Sequence, residues 1–192
     1  MSVYDPSSGW GGRILGVMSI DDRQLHYVGT DPNPDNYIND LDKSRYEYLA
    51  DWFNENTNGG NPFFGHRNTY ELFQDGSEEI AENPKFQKYK GKLDLVFTSP
   101  PYFNREQYSG DDSQSFKKFP EYADWRDNFL RPTLKTCSEY LRKDRYLLWN
   151  IADIADGDDY MPLEQDSIDI LAEHGLKYVT TLKMIMTSMR GV

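Results

Sequence analysis

The order of apolar segments predicts an α/β protein with a Rossmann-like, doubly wound and mostly parallel sheet. Short β-branched or aromatic runs alternate with stretches of helical spacing, the pattern of right-handed strand–helix–strand crossovers. The run "LDLVFT" at 93–98 is apolar on both faces, as a central parallel strand should be. Several runs end in Asp, Gly or Pro-rich turns, and ligand sites in such sheets lie beyond the carboxyl ends of the strands.

Taken in order, Val3-Tyr4-Asp5 reads as a very short first strand, followed by the glycine-rich turn "PSSGWGG" and a helix over "GRILGVMSI". Residues 25–31 alternate and end on an acid, which predicts the second strand. From Asn33 to residue 56, Tyr37, Ile38, Leu41, Tyr48, Leu49, Trp52 and Phe53 fall at helical spacing, with Asn33 or Asp35 as cap. "TYELFQD" predicts a third strand, "SEEIAENPKF" a short helix or loop, and "KLDLVFTSPP" the fourth strand. Polar residues 104–119 read as a mobile loop, and "PEYADWRDNFLRPTLKTCSEYL" as one long amphipathic helix despite Pro132. "DRYLLWNIADI" predicts a fifth strand, residues 162–174 a helix, and "LKYVTTLKMIM" a sixth strand.

Composition narrows the class. At 192 residues the chain has the length of one domain with a real core. One cysteine, Cys137, excludes an internal disulfide framework and suits a reducing cytoplasm. No apolar run approaches the roughly 20 residues of a membrane span, so a cytoplasmic location is expected. Acids outnumber bases 32 to 21, for a net charge of −11, which argues against a broad basic nucleic-acid footprint. Lys117, Lys118, Arg105 and Arg126 are the only bases gathered near the strand ends, and an ordinary solvated face is the simpler reading of them. The histidines His26, His66 and His174 are scattered without a second ligand at metal spacing, so no metal is expected.

The strand ends hold the chemistry. Gly9 and Gly11 let the backbone turn tightly and approach a ligand, although such spacing also suits a plain turn. Asp31 follows about 20 residues later, where an acid reaches a ribose diol in dinucleotide folds; capping or turn duty is the alternative. Asp75 ends the third strand and is equally an adenine acceptor or a turn residue. "DLVFTSPPYFN" at 94–104 runs a buried strand into two prolines and two rings, which suits a rigid grip on a flat aromatic ligand.

"DPSSGWGGRILG", "GTDPN" and "TSPPY", in that order, resemble motifs of S-adenosyl-L-methionine-dependent amino-methyltransferases. The resemblance is strongest to the DNA adenine-N6/cytosine-N4 methyltransferases of phage and bacterial modification systems, whose tetrapeptide is (Asp/Asn/Ser)-Pro-Pro-(Tyr/Phe/Trp). It runs through "YLLWNIADI" to "TTLKMIM" and so covers nearly the whole chain. The resemblance implies a class I methyltransferase fold and S-adenosyl-L-methionine as cofactor. Its methionine end would lie over Asp5, Ser7, Gly9 and Gly11, its ribose on Asp31 and its adenine on Asp75. Ser99 Oγ and the Pro100 carbonyl, held rigid by Pro100 and Pro101, would accept the amino protons of the base, and Tyr102 and Phe103 would stack on it. DNA is the implied partner. Ser in the first place tilts toward cytosine N4, with adenine N6 open. RNA bases, a protein glutamine amide, and a non-catalytic interaction module of the same fold are the alternatives.

The chain also departs from the family. It opens almost directly on the first strand, and the usual last strand, which inserts antiparallel beside the sixth, has no counterpart, nor does a target-recognition domain. A fragment comprising one catalytic core over 1–192 is therefore expected, with homo-oligomer or partner pairing along the sheet edge at 177–187.

Overall fold

The computed structural model describes residues 1–56, 67–105, 110–156 and 159–183. Five strands form one all-parallel sheet: β1 (Ser2–Asp5), β2 (His26–Thr30), β5 (Thr69–Phe73), β6 (Leu93–Thr98) and β7 (Leu141–Trp149). Their order is β5-β2-β1-β6-β7. The chain builds outward from β1 in one direction through β2 and β5, then returns to the other side of β1 for β6 and β7. That reversal opens a crevice at the carboxyl ends of β1 and β6, where ligands of doubly wound sheets bind. Helices flank both faces, so the chain is α/β with a Rossmann-like parallel sheet.

Each face has its own core. On one side α1 (Gly12–Met18) and α2 (Arg45–Asn56) cover the sheet, burying Ile14, Met18, Tyr27, Tyr46 and Ala50 together. On the other, Tyr4, Val28, Phe86, Leu93 and Val96 pack with Cys137 and Tyr140 of α5 (Arg131–Tyr140). A third cluster lies toward the carboxyl ends, where Phe103, Trp125, Phe129, Leu130 and Leu134 meet Leu163 and Ile170 of α6 (Leu163–Glu173). Alternation along β6 and β7 turns Phe97, Tyr146 and Leu148 to the opposite face from Val96, Leu147 and Trp149, and these three remain exposed.

Three expectations change. The helix expected from Asn33 begins only at Arg45. Before it run a 3₁₀ turn (Pro34–Asn36), β3 (Tyr37–Ile38), a second 3₁₀ turn (Asn39–Leu41) and β4 (Lys43–Ser44), with β3 and β4 paired antiparallel. Asn33 Oδ1 accepts from Asp35 N at 3.0 Å, and Asp42 takes a left-handed φ of 51°. Short polar side chains bonding their own backbone compete with helix here. The long helix after Pro120 is α4 (Tyr122–Trp125), a π-helical stretch (Arg126–Leu130) and then α5. Pro132 lacks an N–H and crowds the carbonyl four residues back, and the wider turn just before α5 absorbs both effects.

The sixth strand is the largest departure. Residues 176–183 belong to no strand, and the rest of that expectation lies outside the described residues. The chain over 177–183 therefore adds no ladder to the sheet edge at β7. Between β7 and α6 a small hairpin, β8 (Ile154–Asp156) with β9 (Asp159–Met161), takes up the end of the segment expected as the fifth strand. No helix among the described residues is long and apolar enough to cross a membrane.

Candidate functional site

The carboxyl end of β1 is anchored by Asp5, which is fully buried. Its Oδ2 accepts from Arg13 Nε and from the Tyr27 hydroxyl, each at 2.7 Å, and its Oδ1 from Thr98 Oγ1 at 2.7 Å and Ser7 N at 3.3 Å. The sequence-based expectation placed Asp5 against a cofactor. Instead its carboxylate is consumed by α1, β2, β6 and the turn, and it does not line the cavity described below. A buried carboxyl group is costly unless its oxygens are hydrogen-bonded, and here both are.

The glycine turn divides its two glycines between different tasks. Gly9 has a left-handed φ of 57° and donates from its N–H to Asp31 Oδ2 at 2.9 Å. Gly11, at φ 82°, caps α1, and its carbonyl accepts from Leu15 N at 3.1 Å. A Cβ at Gly11 would lie 3.1 Å from Leu49 Cδ1 and 3.4 Å from Tyr46 Cδ1. Gly11 therefore serves close packing against α2, a correction to its expected place at the cofactor.

Asp31 follows β2 and is held from three directions. Gly9 N and the Tyr46 hydroxyl approach Oδ2, each at 2.9 Å, and Asn33 N donates to Oδ1 at 3.0 Å. Burial raises its pKa, against the pull of its bonds to Asn33, Tyr46 and Gly9. A carboxylate offers about four acceptor positions, so Oδ1 retains one toward the cavity that Asp31 lines.

A cavity of about 180 Å³ lies over the switch point. Its floor brings together Ser7, Gly9 and Arg13 from the first turn, Asp31 and Asn33 after β2, and Ser99 and Pro101 after β6. The exposed indole of Trp10 stands on the wall. After β5 the wall residues are Ser77 and Glu78, whereas Asp75 lines a separate hollow and accepts from Asn83 Nδ2 at 2.7 Å. That corrects the expected adenine contact: the chain leaves β5 at Phe73 and reaches the cavity only four residues later.

The polar stretch expected as a mobile loop supplies the roof. Ser113, Gln114, Ser115 and Phe116 line the cavity from above, and Ser115–Lys118 forms the short helix α3. Trp125 Nε1 donates to Ser115 Oγ at 3.0 Å, and Lys118 Nζ bonds Glu78 Oε1 at 2.8 Å. Glu78 keeps only 5 % of its side chain exposed. Residues 106–109 of that stretch lie outside the described residues.

In the tetrapeptide, Ser99 and Pro101 line the cavity while Pro100 between them is buried. Tyr102 is half-buried; its hydroxyl donates to the Asn150 carbonyl at 3.1 Å and lies 3.5 Å from Ser99 Oγ. Phe103 is 2 % exposed and packs edge-on against Tyr122 and Trp125. It cannot stack on a base, which corrects the expectation. Its left-handed φ of 48° turns the side chain from the strand end into the core.

The bases near the site already have partners. Arg105 donates to the Ala155 carbonyl at 2.8 Å, Lys117 to the Gly110 carbonyl at 2.5 Å, and Arg126 to Asp127 at 3.0 Å. Sequence reasoning missed Ser77, Glu78, the roof and Asn150; only Asn150 carried a signal, standing just past an apolar run. No cluster of three or more metal-binding side chains occurs among the described residues. No family model matches the chain, and no curated protein matches it.

Proposed function

We propose that the chain is a methyltransferase that uses S-adenosyl-L-methionine to methylate the exocyclic amino group of a base, cytosine N4 or adenine N6, in DNA. The observation that carries the reading is the shared cavity. The glycine turn, Asp31, Ser99 and Pro101, far apart in sequence, line one hollow at the switch point of a parallel sheet.

The residues present fit that cofactor in kind. Asp31 retains an acceptor position for a ribose hydroxyl, and the cation of Arg13 stands at the end where an amino-acid carboxylate would lie. Ser77 and Glu78 offer polar atoms for the adenine in place of Asp75. Clefts that enclose drug-sized ligands span roughly 300–1,000 Å³, so part of the cofactor would lie in the open mouth of the cavity or displace the lining over 113–116.

When bound, S-adenosyl-L-methionine supplies an electrophilic methyl group. The work of this chain is to hold the amine. An exocyclic amine conjugated to its ring is a poor nucleophile, and Ser99 Oγ and the Pro100 carbonyl, as acceptors of its two N–H protons, favour a pyramidal nitrogen. The prolines fix φ and carry no competing N–H. Tyr102, the aromatic of the tetrapeptide, is half-buried against the third cluster and keeps part of its ring accessible for stacking, and alignment of two bound reactants supplies much of the remaining acceleration.

Thermal shift with S-adenosylhomocysteine tests cofactor binding: a stabilisation abolished by Asp31→Ala supports it, and no shift at millimolar ligand refutes it. Transfer of tritiated methyl into duplex DNA, single-stranded DNA, RNA and protein then separates the substrates.

A further inference from the structure

Asn150 stands one residue beyond β7, where its N–H donates to the Thr98 carbonyl at 3.0 Å and carries the β6–β7 ladder past the last strand pair. That bond seats it beside Ser99. Its side-chain Nδ2 donates to Ser99 Oγ at 3.2 Å, and its own carbonyl accepts from the Tyr102 hydroxyl at 3.1 Å. Ser99 Oγ and the Tyr102 oxygen are 3.5 Å apart, which closes a ring of three groups.

The chemistry of the groups fixes the direction of the two bonds to Asn150. A carbonyl only accepts, so Tyr102 spends its proton on Asn150. An amide nitrogen only donates, so one lone pair of Ser99 Oγ is taken by Asn150. The Tyr102 oxygen faces Ser99 Oγ at 3.5 Å, beyond the usual O–H···O range. A hydroxyl has two lone pairs, and the second, on a residue that lines the cavity, is available to accept from a ligand.

We propose that Asn150 is a positioning residue that holds Ser99 Oγ in the orientation that presents its free lone pair to the N–H of the reacting amino group. This rests on the methyltransferase reading.

The test is a double-mutant cycle of Asn150→Ala and Ser99→Ala. Methyl transfer is measured into unmethylated plasmid, as duplex and as heat-denatured strands, together with S-adenosylhomocysteine affinity by calorimetry. Asn150→Ala should lower kcat about tenfold, the scale of one lost orienting hydrogen bond, with the affinity unchanged. Because Asn150 acts through Ser99, the double variant should fall no further than Ser99→Ala alone. Independent additive losses, or full turnover in Asn150→Ala, overturn the role of Asn150 and leave the methyltransferase reading standing. Wild-type protein that neither binds S-adenosylhomocysteine nor transfers methyl overturns the methyltransferase reading, and the role with it. Crystals of both proteins with S-adenosylhomocysteine provide a readout apart from turnover: Ser99 should hold one rotamer in the wild type and several in Asn150→Ala. An unchanged single rotamer in the variant also overturns the proposal.

Discussion

Thr98 donates a 2.7 Å hydrogen bond to Asp5 Oδ1, joining the carboxyl ends of β6 and β1 directly beneath the cavity. The same carboxylate holds Arg13 of α1 and Tyr27 of β2. Four elements that frame the site thus meet at one buried side chain.

Asp5→Ala should therefore act on the fold before it acts on any ligand. It removes the shared acceptor of Arg13, Tyr27 and Thr98, although Tyr27 keeps Ser8 Oγ and Arg13 the Ser7 carbonyl. Removing one partner of a buried charge pair costs about 3–5 kcal/mol. Urea denaturation should show a loss of that size with an unchanged slope. A variant of native stability that has lost only ligand affinity would restore Asp5 to the cofactor site.

Phe103 and Tyr102 should separate in the same way. Phe103→Ala opens a hole among Tyr122, Trp125 and the other members of its cluster, and such truncations cost about 3–5 kcal/mol. Tyr102→Ala removes a half-buried ring, and base stacking is worth roughly 1–3 kcal/mol. The first variant should lower the melting temperature strongly. The second should weaken methyl transfer while S-adenosylhomocysteine affinity holds. Equal loss of stability in both would assign Tyr102 to the core as well.

The contrast between these neighbours shows how far the sequence could be read. Strands β1, β2, β5 and β6 were legible because short runs of β-branched and aromatic residues end in turn signals, the pattern of strands in an alternating strand–helix chain. The order of turns at their ends placed Ser7, Gly9, Asp31 and Ser99 together for the same reason. The direction of Phe103 was not legible, because it follows from a left-handed backbone angle that the core imposes on a residue with no local preference for it. Nor was the burial of Asp5, whose partners Tyr27 and Thr98 lie 22 and 93 residues away. Asp75 missed the cavity by two residues, within the uncertainty of any strand end read from sequence. The hairpin at 37–44 hid behind helical spacing that local Asn and Asp bonding overrode.

Asp31 predicts a pH signature. Burial raises its pKa in the folded protein above the unfolded value. An acid shifted this way binds its proton more tightly when folded, so its contribution to stability is greatest below the unfolded pKa and declines as pH rises through the folded one. Denaturation of wild type and Asp31→Asn across pH 3 to 8 should show the difference in stability, wild type minus variant, falling as pH rises from about 3.9. A flat difference would mean that Asp31 is not desolvated. Affinity for a ligand that donates a hydroxyl to the carboxylate should move the opposite way, rising with pH as Asp31 ionises.

The clasp between Lys118 and Glu78 predicts the behaviour of the roof. Lys118 Nζ sits 2.8 Å from Glu78 Oε1 and 3.6 Å from Glu79 Oε1, and it ties α3 to the wall beyond β5. If the cofactor enters past α3, this pair must part. Lys118→Met keeps the aliphatic stem and removes the charge, and the freed carboxylate of Glu78 then gains by turning to water, which favours the open roof. Stopped-flow binding of S-adenosylhomocysteine should show faster association in Lys118→Met, and dissociation should quicken as well because the closed state has lost its ion pair. Glu78→Gln should quicken association less, since a neutral amide still bonds the lysine. Association rates identical in all three proteins would mean that the ligand enters without moving α3, through the side of the cavity where Trp10 stands exposed.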